Sequence, residues 1–245
     1  FIGRRAGDAV TVTNGGASDG TIAIGHSALT SLTSGSGNIA IGYQAADAID
    51  TSGAVIAIGY QAMGDAANAH DKAMENVAIG YKAMGGAFVD SNVKQNVVVG
   101  NYAVQNGALN GLNYATVIGH SAGLDLVSGS RSVFVGAYAG QNVTSGENNI
   151  LIGNQAGDLI TTGGDHVLIG KNAGDVIAAG QTTTNGTIAI GSDALGALTS
   201  GGANVGIGYQ SLFTVNSDSN NVSVGYNSSK YMWGGSNVAV GKDAL

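Results

Sequence analysis

Asn38-Ile39-Ala40-Ile41-Gly42-Tyr43-Gln44-Ala45 decides the fold, because the chain repeats this phrase from end to end. Each copy is anchored by a glycine: Gly3, Gly25, Gly42, Gly59, Gly80, Gly100, Gly119, Gly136, Gly153, Gly170, Gly191, Gly208, Gly225 and Gly241. Most neighbouring anchors stand about 17 residues apart, as Gly25, Gly42 and Gly59 do. A fixed short period is the signature of stacked units, each too small to hold its shape without its neighbours.

Counted from the glycine, position −1 is Ile or Val in every copy, from Ile2 to Val240. Position −3 is Ile or Val in every complete copy except Thr116. Side chains branched at Cβ are stiff at χ1 and suit a pleated strand. Two positions that differ by two share one face of a strand. We expect that face to be the interior, packed on the small residue at +3 (Ala45, Ala62) and the residue at +4 (Leu29, Met63) of the same rung. The unit then reads as a strand, a glycine corner, a second short strand and a return loop. Stacked in parallel ~4.8 Å apart, such units make an all-β parallel β-solenoid of about fourteen rungs, a rod of about 60 Å. No composition break divides it, so residues 1–245 read as one continuous array. Both ends fall inside a copy, at Phe1-Ile2-Gly3 and at Leu245, as expected of a window on a longer fibre.

Position −2 faces the other way. It is small at the ends of the array (Ala23, Ala40, Ala57, Ala78, then Ala189, Gly206, Ser223, Ala239) and bulky in the middle. Val98, Val117, Phe134, Leu151 and Leu168 would form an apolar ridge on the outside of five adjacent rungs. A ridge of that length is expected to be an interface between identical chains, which close by cyclic symmetry.

Composition excludes several classes. Only 10 % of residues are charged and the net charge is −7, which does not suit a nucleic-acid binder with its need for a basic stripe. There is no cysteine for disulfides or thiolate metal sites. No apolar run approaches the ~18 residues of a membrane helix, so no membrane insertion is expected. Proline is absent, in keeping with strands that are all central, since proline cannot donate to a ladder.

The phrase N-[IV]-A-[IV]-G-x-x-A, as in Asn76–Ala83 and Asn237–Ala244, resembles the head repeat of trimeric autotransporter adhesins; Asn204–Ser211 carries a close variant. The variant A-I-G-Y-Q-A-[LM], at Ala57–Met63, is similar to repeat regions of phage tail fibres. The likeness runs the length of the chain, in units longer than the compact adhesin repeats. It implies a left-handed β-roll, a homotrimer around one axis, an extracellular location on a virion or a bacterial surface, and a role in attachment to a host or surface glycan or receptor.

Chemistry is sparse. Gly119-His120-Ser121-Ala122-Gly123 matches a nucleophile elbow, but only because the repeat places glycine at the corner and alanine three residues on. Gly170-Lys171 and Gly241-Lys242 lack the upstream glycine of a phosphate loop. The histidines are His26, His70, His120 and His166; His166, beside the first strand, could meet its copies on a trimer axis. Asp158 and Asp175 share a column in adjacent rungs, where a calcium ion could separate carboxylates that otherwise repel. Capping of their own turns is the competing reason for aspartate there. No other cofactor is expected. Asparagine recurs at −4, as in Asn38 and Asn149, and should bond rung to rung. Tyr43, Tyr60, Tyr81, Tyr209 and Tyr226 stack at the corner beside glutamines, and Trp233 lies in the most aromatic loop. Aromatic faces beside amides suit sugars, so these six are the candidate glycan contacts. The reading is a non-catalytic fibre segment. The alternatives are a polysaccharide-cleaving tailspike, which needs two carboxylates in a cleft, and an ice-binding solenoid, for which only Thr182-Thr183-Thr184 speaks.

Overall fold

The structure is a computed structural model that describes residues 1–9, 19–64, 74–89, 92–177 and 185–245. The loop centres 65–73 and 178–184 lie outside the described residues, and with them His70 and the three threonines 182–184.

Thirteen three-residue strands form one parallel sheet in sequence order. They are β1 (Ile22–Ile24), β2 (Ile39–Ile41), β3 (Ile56–Ile58), β4 (Val77–Ile79), β5 (Val97–Val99), β6 (Thr116–Ile118), β7 (Val133–Val135), β8 (Ile150–Ile152), β9 (Val167–Ile169), β10 (Ile188–Ile190), β11 (Val205–Ile207), β12 (Val222–Val224) and β13 (Val238–Val240). Each strand pairs with the next copy of itself, residue for residue: Ile39 stands over Ile22 and under Ile56. Ile2 adds a parallel bridge below Ile24. The chain is therefore a β-solenoid, with the glycine corners where the period placed them.

The corner needs glycine for two reasons. At Gly42 φ is +139°, a region that side chains rarely enter, and a Cβ would lie 2.2 Å from the carbonyl oxygen of Gly59. The tight stack leaves no room for an atom there. Gly42 also donates its N–H to Ile24 O at 2.8 Å, so the ladder runs through the corner.

Two sequence expectations are corrected. First, the faces are exchanged. Every strand buries its middle residue, −2, and turns −3 and −1 outward. Val98, Val117, Phe134, Leu151 and Leu168 are 0 % exposed and lie in the core of a single chain, so they form no interface. A three-residue wall between two corners has one inward position, and the interior is only wide enough for that residue to meet +3 and +4 across it. Ala28, Ala45, Ala62, Leu29 and Met63 are the residues that meet it, all 0 % exposed.

Second, the arm after the glycine is a turn, not a strand. Position +2 takes a left-handed conformation (Gln44 φ 49°, Gln61 φ 50°) and so does +4 (Leu29 φ 51°, Met63 φ 52°). The turns still stack by main-chain bonds: Gln44 N–H donates to His26 O at 2.9 Å, and Ala46 N–H donates to Ala62 O at 2.9 Å. Non-glycine residues adopt this conformation at a cost of about 1–2 kcal/mol each. Repetition of the same hydrogen bonds in every rung holds them there.

The asparagine column at −4 closes each rung onto the next. Asn38 Nδ2 donates to Ser52 O at 2.9 Å, and Asn38 Oδ1 accepts from Val55 N–H at 3.1 Å. Asn149 and Asn204 repeat this with Gly163 O and His166 N–H, and with Asp218 O and Asn221 N–H. The amide thus acts mostly as a surrogate peptide group. Direct side-chain bonds join Asn76 to Asn96 and Asn221 to Asn237.

Candidate functional site

The exchange of faces puts the most distinctive surface on the flat outer wall. Each strand presents two outward residues, and all are Ile or Val except Thr116. Ile22 is 45 % exposed, Val97 37 %, Ile118 39 % and Ile150 38 %, while their neighbours are half-buried by one another. The result is an aliphatic ribbon two columns wide. Twelve steps of ~4.8 Å make it about 58 Å long, and a width of about 12 Å gives roughly 700 Å². Monomers rarely expose more than a few hundred Å² of contiguous apolar surface.

One border of the ribbon, position −5, is small at Gly20, Gly37, Ala54, Gly186 and Ala203, and carries polar side chains tied to one another in the middle rungs, as Gln95 Nε2 donates to Glu75 Oε2 at 2.8 Å. Arg131 donates through Nε to Asn148 Oδ1 at 3.0 Å and also pairs with Glu147. Asn148 Nδ2 donates to Asp165 Oδ1 at 3.1 Å. The other border, +1, carries the tyrosines. The rings of His26, Tyr43, Tyr60 and Tyr81 stack with centroids 5.0–5.3 Å apart and nearly parallel planes. Edge-to-face contacts then run from Tyr81 through Tyr102 and His120 to Tyr138, with Tyr102 and Tyr138 one position further on, at +2. Tyr209 and Tyr226 form a separate stack at 5.1 Å. Gln61 Nε2 donates to Gln44 Oε1 at 2.9 Å beside the first stack. The tyrosine faces expected to receive a sugar therefore cover one another. What the column offers outward is ring edges and hydroxyls, with Tyr43, Tyr60, Tyr209 and Tyr226 exposed by 40–50 %.

Trp233 is 86 % exposed in a loop held by a bond from Gly234 N–H to Asp218 Oδ2 at 2.9 Å. Beside it Tyr231 carries the Lys230 ammonium 5.3 Å from its ring centre. Of this loop only Met232 packs back on the core.

The ionisable candidates are scattered. His166 is 0 % exposed at −4, inside the roll and not on an outer axis, and neither ring nitrogen has a partner among the described residues. Burial lowers its pKa to about 4, against the opposing pull of Asp165. Asp158 and Asp175 follow glycines at +4 on the turn arm. Burial raises the pKa of both, and the charges of Asp193 and Asp158 raise that of Asp175 further. Asp158 accepts from Asn142 Nδ2 at 3.2 Å, a bond between adjacent turns. Among the described residues no three His, Asp or Glu side chains come together as a metal site. Ser121 is 7 % exposed in the left-handed turn at φ 51°, without the strand-to-helix setting of a nucleophile elbow. No family model, curated protein or solved structure matches this chain.

Proposed function

We propose that this chain is a non-catalytic rod segment of an extracellular attachment fibre, of the kind found in phage tail fibres and bacterial surface adhesins, built from three parallel copies. The observation that carries the reading is the aliphatic ribbon. Its roughly 700 Å² is close to the ~800 Å² per partner of a stable interface. Polar side chains along part of one border and stacked rings along part of the other give the anatomy of an apolar core with a wetter rim. A second copy of this chain fits best, because a surface that repeats every rung is matched in length and spacing by another such surface. The rod supplies stiffness and reach. The hydroxyl edge of the tyrosine column and the Trp233 loop are left at the surface to meet a glycan or another receptor.

Sedimentation equilibrium tests the assembly. The expected mass is three times the 24.1 kDa of one chain. A 24.1 kDa species at micromolar concentration would remove the proposal.

A further inference from the structure

The ribbon is almost uniform along its length. A copy displaced by one rung, about 4.8 Å, would still meet Ile or Val at every step. Seams of that kind specify register weakly, and in coiled coils a single polar residue in the seam corrects this at some cost in stability. Among the two outward columns Thr116 is the only polar side chain. It stands on β6, stacked between Val97 and Val133 of its own column, and is half-buried by them. No described residue of its own chain hydrogen-bonds its hydroxyl.

The charged groups of the −5 border are already engaged, whereas Tyr114 on that border and the tyrosine hydroxyls at +1 flank the ribbon without lying in its two columns. Arg131 is held by Asn148 and Glu147, and Asn148 by Asp165. The insertions after Gly80 and Gly100, as far as they are described, leave the rung beyond +4. The two pair with each other through Phe88 and Leu109, which are buried.

We propose that Thr116 sets the register between copies. At matched height the hydroxyls of neighbouring chains donate and accept among themselves, since a hydroxyl is both donor and acceptor. One rung out of step, each hydroxyl is pressed against aliphatic side chains with no partner, and an unpaired buried hydroxyl is costly. The inference rests on the self-association proposed above.

The chain has no cysteine, so introduced thiols report only on themselves. Copies carrying Val133→Cys are mixed either with copies carrying the same change or with copies carrying Val167→Cys, two rungs away, and disulfide yield is measured. Matched-rung pairs should outnumber displaced pairs by at least about tenfold with Thr116 in place, about the factor that one unmet hydrogen bond supplies. Thr116→Val should bring the two yields within about twofold of each other, with the rods still multi-chain, and Thr116→Ser, which keeps the hydroxyl, should retain the preference. A multi-chain Thr116→Val rod that keeps the matched-rung preference overturns the inference. A single-chain mass for the unaltered protein overturns the association beneath it, and this inference with it.

Discussion

The outer and central rungs fill the same interior in opposite ways. In β1, β3 and β4 the inward residue is small and +4 is large: Ala23 with Leu29, Ala57 with Met63, Ala78 with Met84, all 0 % exposed. From β6 to β9 the sizes are reversed: Val117 with Gly123, Phe134 with Gly140, Leu151 with Gly157, Leu168 with Gly174. β5 sits between, with Val98 and Val104, and the outer pattern returns with Ala189 and Leu195, then Gly206 and Leu212. A Cβ at Gly140 would fall 2.8 Å from Leu151 Cδ1 and 3.1 Å from Phe134 Cε2. At Gly206, in the outer pattern, it would meet Leu195 Cγ at 3.2 Å. The two columns share one volume. What the repeat keeps constant is their sum, as close packing requires. Not every rung obeys: Ala40 and Ala46 are both small, and Ser223 faces Ser229.

The two solutions differ in backbone cost. Leu29, Met63, Met84, Leu195 and Leu212 hold φ of 51–54° with a full side chain, whereas Gly140 and Gly174 hold φ of 57° without one. The central rungs thus place their bulk on a relaxed strand and their strain-prone position on glycine.

The largest test of this comparison is Phe134→Ala. It empties the central core and should cost about 3–5 kcal/mol in denaturant unfolding. Gly140→Leu alone should also destabilise, by overpacking against Leu151. The pair together converts a central rung into an outer one, and should recover at least about 1 kcal/mol of the summed loss. Strict additivity would show that the columns do not share space.

Next in size is His166, in the last rung of the central set. A buried imidazole with no partner must stay neutral. Its folded pKa of about 4 lies below the ordinary histidine value of 6.5, so its contribution is present above pH 6.5 and is lost as pH falls towards 4. The loss should be on the order of 3 kcal/mol across that window. His166→Asn places an amide in a column where asparagine binds the next rung, and should flatten the acid limb of stability against pH. A variant as acid-sensitive as the parent would assign that limb to other groups.

Asp175 should give the smallest effect. Its folded pKa is raised by burial and by Asp193 and Asp158, so the group favours folding while protonated and loses that contribution as pH rises through the folded value. Asp175→Asn should raise the melting temperature at pH 7 by about 1–2 °C and leave it unchanged near pH 3. Millimolar calcium should mimic that gain in the parent if it occupies the gap between Asp158 and Asp175, and should do nothing in the variant.

The repeat, the parallel stacking and the glycine corners were all legible, because each follows from one invariant column. The inward face was not. A spacing of two shows that Ile39 and Ile41 share a face without saying which face it is, and the neighbouring column is apolar too. The missing signal was present: wherever −2 is Phe134, Leu151 or Leu168, +4 is glycine. Residues that trade size touch each other, so −2 had to be inside. The left-handed turns at Gln44 and Leu29 were hidden for a different reason. Neither residue type favours that conformation, and only the stack enforces it. Thr116 could be read as an exception from the start, but it had no meaning until its column was known to face outward.

A pair of neighbouring substitutions tests the arrangement of faces most directly: Leu151→Asp and Ile152→Asp, compared by circular dichroism and sedimentation. Leu151→Asp buries an unpaired carboxylate in the core and should leave the chain unfolded. Ile152→Asp places the same charge on the ribbon and should leave a folded chain of 24.1 kDa that no longer associates. A folded Leu151→Asp chain beside an unfolded Ile152→Asp chain would turn the solenoid inside out and contradict the account.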